Sequence, residues 1–130
     1  MVRLLNGDLI FKEETYEIVG AAMDVYYTMG VGFLEPVSQE ALAIEFSRRG
    51  ITFEREKKLE LYHKGTKLNK TYSPDFVCFD DIVLELKVVP QITGSHAAQL
   101  INYLKVMQKR LGLLMNFGGT PKLDWKRYVI

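Results

Sequence analysis

Apolar positions recur at three- and four-residue steps over two early stretches of the chain and again over a third near residue 100, and at shorter intervals between them. From residue 13 to 29, Tyr16, Val19, Met23 and Tyr26 predict one apolar stripe of a helix that "GVG" ends. A second helix over 35–49 starts with Pro36, whose fixed φ and missing N–H suit a first turn. It carries Val37, Ala41 and Ile44 and stops at Gly50. From Ile51 onward, β-branched and apolar runs are punctuated by turn signals at Lys64-Gly65 and Asp80-Asp81, which predicts a three-stranded antiparallel meander. Pro74 cannot donate to a ladder, so the second strand should break or bulge there.

After Pro90, a helix over 94–110 places Ala97, Leu100, Leu104, Met107 and Leu111 on one face. "LGLLMNF" reads as a buried strand and "KLDWKRYVI" as an edge strand. A helix joining two strands of one sheet makes them parallel with a right-handed crossover, so the expected fold is α/β (α+β), a mixed central sheet flanked by helices. The 130 residues suit a single domain spanning 1–130.

Composition narrows this picture by exclusion. Hydrophobic residues make up 48% and charged residues 25%, so disorder and fibrous repeats are ruled out. There is no membrane-length apolar run, and "MVRLLNGDLIF" lacks the pattern of a leader, so a cytoplasmic protein is expected. The single cysteine, Cys78, in an apolar strand, is expected to be a buried structural thiol.

Charge is uneven although its sum is only +1. Residues 1–46 hold two basic and eight acidic groups; residues 47–130 hold fifteen basic and eight acidic. The basic groups Arg48, Arg49, Arg55, Lys57 and Lys58, with Lys64, Lys67 and Lys70 beyond them, are candidates for phosphate contact, since cations that displace counterions dominate nucleic-acid affinity. A solvated helix end and exposed strand faces would carry the same residues.

Within the apolar stretch "TYSPDFVCFDDIVLELKVV", three charged residues stand out: Asp75, Glu85 and Lys87. Strand alternation puts Glu85 and Lys87 on one face and Ile82, Leu84, Leu86 and Val88 on the other. Whether Asp75 joins them depends on register. A two-residue loop at Asp80-Asp81 would pair Asp75 with Leu86 and turn it away; a three-residue loop or a bulge near Pro74 would bring it beside Glu85. Two carboxylates and a strand carbonyl such as that of Leu86 suit Mg²⁺ or Mn²⁺, which takes few protein ligands, keeps waters and accepts phosphate oxygens, and a nearby ammonium can orient the water or stabilise the transition state.

The ordered pieces "GFLEPVSQEAL", "FERE", "YSPD", "ELK", "HAAQLINYLK" and "LGLLMNFG" resemble the PD-(D/E)XK nuclease superfamily, and within it the small GxxExxY proteins. The resemblance covers about Tyr16 to Gly118, with Ser38 standing where the name-giving tyrosine would be. It implies a restriction-endonuclease-like αβββαβ core with an extra N-terminal helix, and a hydrolase that cleaves nucleic acid, DNA before RNA. Asp75, Glu85 and Glu35 would hold the metal and Lys87 would assist a water. It also implies a supporting QxxxY element, Gln99 and Tyr103, with His96 on the same helix flank. An acid at a helix start such as Glu35 is also explained by the helix dipole alone. A catalytically inactive nuclease-fold binding or regulatory domain is the alternative, and a homo-oligomer or a protein partner fits either.

Overall fold

The computed structural model describes residues 10–130. Helix α1 (Lys12–Met29) ends at Gly30, where φ is 81° and the N–H donates to Tyr26 O at 2.9 Å. Helix α2 (Glu35–Arg49) ends at Gly50 in the left-handed conformation, and Ile51 N–H closes the turn onto Phe46 O at 2.9 Å. Strands β1 (Phe53–Arg55), β2 (Leu59–His63), β3 (Thr66–Tyr72), β4 (Phe76–Cys78) and β5 (Ile82–Lys87) follow. Helix α3 (Gly94–Met107), β6 (Leu111–Asn116) and β7 (Asp124–Val129) complete the order.

The main sheet has the order β1-β4-β5-β6-β7 and is mixed: β5 and β6 are parallel, the other pairs antiparallel. The meander differs from the simple expectation in one respect. Its first two strands each break, at residues 56–58 and 73–75, so their outer halves β2 and β3 form a separate two-stranded arm. Pro74 accounts for one break. The other lies opposite it, where Glu56 takes φ 53° and its N–H donates to Asp75 O at 3.1 Å.

Helices cover both faces of the sheet. Ile82, Leu84 and Leu86 pack with Phe46, Phe76, Leu42 and Ile18 on the α1–α2 side, while Val83 and Leu114 pack with Leu100 and Leu104 of α3. The helical stripes are rotated from those the periodicity predicts. In α1 the buried set is Thr15, Ile18, Val19, Ala21, Ala22, Val25 and Tyr26, with Tyr16 81% and Met23 38% exposed. In α2 Ser38, Gln39, Leu42 and Phe46 are buried, and Val37 and Ile44 face outward. Small alanines and three polar residues occupy inward positions, so a stripe drawn through the largest apolar side chains misses the true face. α3 is shorter than expected: Gln108 at φ 57° closes it, and Leu111 belongs to β6.

Cys78 is fully buried, and burial pushes its thiol up to about 12, as expected of a structural cysteine. The glycine run after β6 also has a structural cause. A Cβ on Gly118 would stand 2.8 Å from both Val89 N and Val89 O, so only glycine lets this turn close on the end of β5. The buried Asn116 side chain completes that junction, accepting from Val89 N–H and Gly118 N–H and donating to Val89 O.

Candidate active site

The loop between β4 and β5 decides the site. Cys78 pairs with Ile82, leaving three residues, 79–81, in the loop, with Phe79 at φ 53° and Asp80 at φ 63°. Lys109 secures the loop by donating to Asp80 O at 2.7 Å and lying 3.6 Å from Asp81. With Val77 opposite Val83, the same register carries Asp75 opposite Glu85. Asp75 N–H donates to Glu85 Oε1 at 3.0 Å, and Leu86 N–H donates to Asp75 Oδ2 at 2.8 Å. Glu85 is therefore clasped to the backbone of Asp75, and Asp75 to that of Leu86, the residue after Glu85; Lys87 shares their face.

Helix α2 reaches the same point from the side. Gln39 donates from Nε2 to Asp75 Oδ1 at 2.7 Å, and its Oε1 accepts from Arg55 Nε at 2.9 Å. One turn earlier, at the start of α2, is the half-buried Glu35. Burial raises the Glu35 pKa, the charge of Asp75 raises it further, and Lys87 opposes both. Burial likewise raises Asp75, against the hydrogen bonds from Leu86 and Gln39 and the charge of Lys87. Glu85 is pushed up to about 7, first by burial and then by the Asp75 carboxylate. An acid pair that resists joint ionisation in this way is a place where a cation would be favourable.

Tyr72, the last residue of β3, forms the third wall. Its buried hydroxyl lies against the Glu85 carboxylate, and burial together with that carboxylate raises its pKa far above the usual phenol range. Its ring stacks on Tyr103 of α3, with centroids 3.5 Å apart and planes 4° from parallel.

The donor set suits a hard divalent ion: oxygens only, from two adjoining carboxylates that repel each other when ionised. Among the described residues no three His, Cys, Asp or Glu side chains are grouped as a metal shell of their own, so waters and substrate oxygens would have to complete one. Glu35 feels the charges of Asp75 and Lys87 and stands outside such a group.

The remaining sequence candidates divide. Tyr103 adjoins the site through Tyr72. Gln99 is exposed and makes no side-chain hydrogen bond among the described residues. His96 caps α3: Thr93 N–H donates to its Nδ1 at 3.1 Å, and its own N–H donates to Thr93 Oγ1 at 3.4 Å. Of the cations, Arg55 joins the site through Gln39. Arg49 is held by Glu45 at 2.8 Å and Asp24 at 3.2 Å, Lys57 is 3.3 Å from Glu54, and Lys58 is exposed. Arg48 and Arg49 lie at the far end of α2, about 20 Å from Glu35.

Sequence reasoning missed Gln39 and Tyr72. Gln39 lies four residues after Glu35 on one helix face, a spacing that could have flagged it. Nothing local marks Tyr72. An apolar cavity of about 420 Å³ between α1 and Trp125 is on the other side of the sheet and contains none of these acids.

A mixed sheet with helices on both faces and a Pro-Asp, Glu-x-Lys face on two adjacent strands defines a class of metal-dependent phosphodiesterase folds. Residues 12–128 match the family described as the PD-(D/E)XK nuclease superfamily, and the chain belongs to it. Two solved structures share the fold. SSO0001 is 18% identical, with a TM-score of 0.55 over 72% of this chain and 49% of its own, so the chain spans about half that protein's length. The alkaline exonuclease LHK-Exo from Laribacter hongkongensis is 11% identical, with a TM-score of 0.52 over 89% of this chain and 68% of its own. No curated protein sequence matches closely enough to add to this. Among the described residues, no helix is long and apolar enough to cross a membrane.

Proposed function

We propose that the protein is a Mg²⁺- or Mn²⁺-dependent nuclease of the GxxExxY branch, hydrolysing phosphodiester bonds in nucleic acid, DNA before RNA. The observation that carries this reading is the register that sets Asp75 against Glu85 with Lys87 on the same face. Asp75, Glu85 and the Leu86 carbonyl would hold the ion, with Glu35 close by. A bound divalent cation supplies acidified water and neutralises charge that builds on the phosphate.

The chain's own residues do the rest. Gln39 and Leu86 N–H each donate to one Asp75 oxygen, which fixes the carboxylate and leaves a lone pair on each oxygen for a cation. Lys87 makes no ion pair within 4.0 Å among the described residues, so its ammonium is available to orient a water or meet an equatorial phosphate oxygen. Glu35, whose pKa burial and the Asp75 charge raise, would exchange a proton with a leaving oxygen. Arg55 steadies Gln39 and leaves other guanidinium donors for phosphate. The reading treats residues 1–130 as one nuclease-like domain working in the cytoplasm.

The test is cleavage of plasmid and single-stranded substrates with Mn²⁺ by the wild type, Asp75→Asn and Lys87→Ala. Loss in both variants supports the assignment; equal cleavage by all three sinks it. A non-catalytic domain of the same fold is the second reading, favoured by the absence of a third carboxylate grouped with the pair among the described residues. Calorimetry with Mn²⁺ separates them: metal binding that depends on Asp75 and Glu85 supports the nuclease.

A further inference from the structure

The β2–β3 arm is not built for packing. Of its two strands only Leu59, Leu61 and Tyr72 are even half-buried, and the remainder is exposed. A two-stranded hairpin alone is marginal in water, so the arm depends on its root, where Tyr72 stacks on Tyr103. Its composition is one-sided. Residues 57–72 contain five lysines and one acid, Glu60, a net of +4 with His63 neutral, in a chain whose total is +1. Lys57 is matched by Glu54 and Lys67 by Glu60, which leaves Lys58, Lys64 and Lys70 without an ion pair among the described residues.

Strand geometry then aims these charges. Tyr72 and Thr66 lie at the two ends of β3, a register shift against β2 falls between them at residues 68–70, and Tyr72 turns the root of the arm toward Glu85 and α3. Lys70 is two residues from Tyr72, about 7 Å along the strand. Lys64 occupies the tip, in a two-residue turn with Gly65 where both φ angles are positive, 48° and 81°. Phosphates on one strand of duplex DNA recur about every 3.4 Å of axis, so a backbone lying at the acid pair would bring phosphates within reach of the root of the arm as well.

We infer that the β2–β3 arm, through Lys70 and Lys64, grips the phosphate backbone of the nucleic acid presented to Asp75 and Glu85. This rests on the nuclease reading for its substrate, and the experiment separates the two. Anisotropy of a labelled DNA duplex in EDTA, so that nothing is cleaved, is followed from about 50 to 200 mM salt. Lys64→Ala/Lys70→Ala should bind more weakly, with the salt slope reduced by about one per lysine. Lys12→Ala, on α1, should keep the wild-type slope, and unchanged melting should show that the double variant folds.

A double variant with wild-type affinity and slope overturns the arm. So does arm-dependent binding to phosphatidylserine vesicles with none to DNA. Arm-dependent DNA binding without Asp75-dependent cleavage keeps the arm and rejects hydrolysis. Asp75-dependent cleavage that the double variant retains in full, with full binding, does the reverse.

Discussion

Asp75 and Glu85, ten residues apart, are joined by a 3.0 Å hydrogen bond from the backbone of one to the carboxylate of the other. That bond exists because the intervening loop has three residues and not two. The arrangement leaves two acids side by side in a partly buried place, and its energetic consequences can be measured without any substrate.

The first concerns pH. Glu85 is raised to about 7 from an ordinary 4.5, so the folded chain holds a proton that the unfolded chain has released between those values. Its stabilising contribution is full below about pH 4.5 and fades as pH rises through about 7. Asp75 and Glu35 are raised as well and act in the same direction. In EDTA, melting temperature should fall from pH 5.5 to 8, and Glu85→Gln should flatten that fall. At about 1.4 kcal/mol per pH unit, the Glu85 part is at most about 3 kcal/mol. A melting temperature equally pH-dependent in the variant would reject the coupling.

Gln39 links Asp75 to Arg55 and is itself buried. Gln39→Ala should weaken Mn²⁺ binding about 10- to 100-fold, as loss of a partner to a metal ligand commonly does. It should also destabilise the fold by about 1–3 kcal/mol through the partners left unpaired. Calorimetry and urea melts report the two effects separately. Unchanged Mn²⁺ affinity would mean that Asp75 needs no help from α2.

The Tyr72–Tyr103 stack can be dissected by two substitutions. Tyr103→Ala removes a contact worth about 0.5–1.5 kcal/mol and should speed hydrogen exchange across β2 and β3. Tyr72→Phe keeps the ring and its stack and removes only the hydroxyl beside Glu85, so exchange across β2 and β3 should stay at the wild-type rate. Faster exchange in the phenylalanine variant, or none in the alanine variant, contradicts this division.

Gly118→Ala places a methyl group 2.8 Å from two Val89 backbone atoms. Backbone cannot yield as a side-chain tip does, so a loss of more than about 2 kcal/mol in urea unfolding is expected. Gly94→Ala, where nothing lies within 4 Å, serves as the neutral comparison.

Much of this was readable along the chain. The element order, the parallel β5–β6 pair, the break at Pro74 and the shared face of Glu85 and Lys87 all follow from residue type and period, which are local properties. Apolar stripes were less readable, because alanine and glutamine turned inward where bulkier residues stayed out. The sequence by itself therefore determined which strands would exist and which two charges would share a side. Only the tertiary structure decided that Asp75 joins them. Alternation has a period of two, so a single loop residue, accommodated by the left-handed Phe79 and Asp80, inverts the face. It alone also decided that Gln39 and Tyr72, 36 and 13 residues from Asp75 and Glu85, would close around the pair, since the spacing of Gln39 from Glu35 marks a shared helix face and not the strand that face would meet.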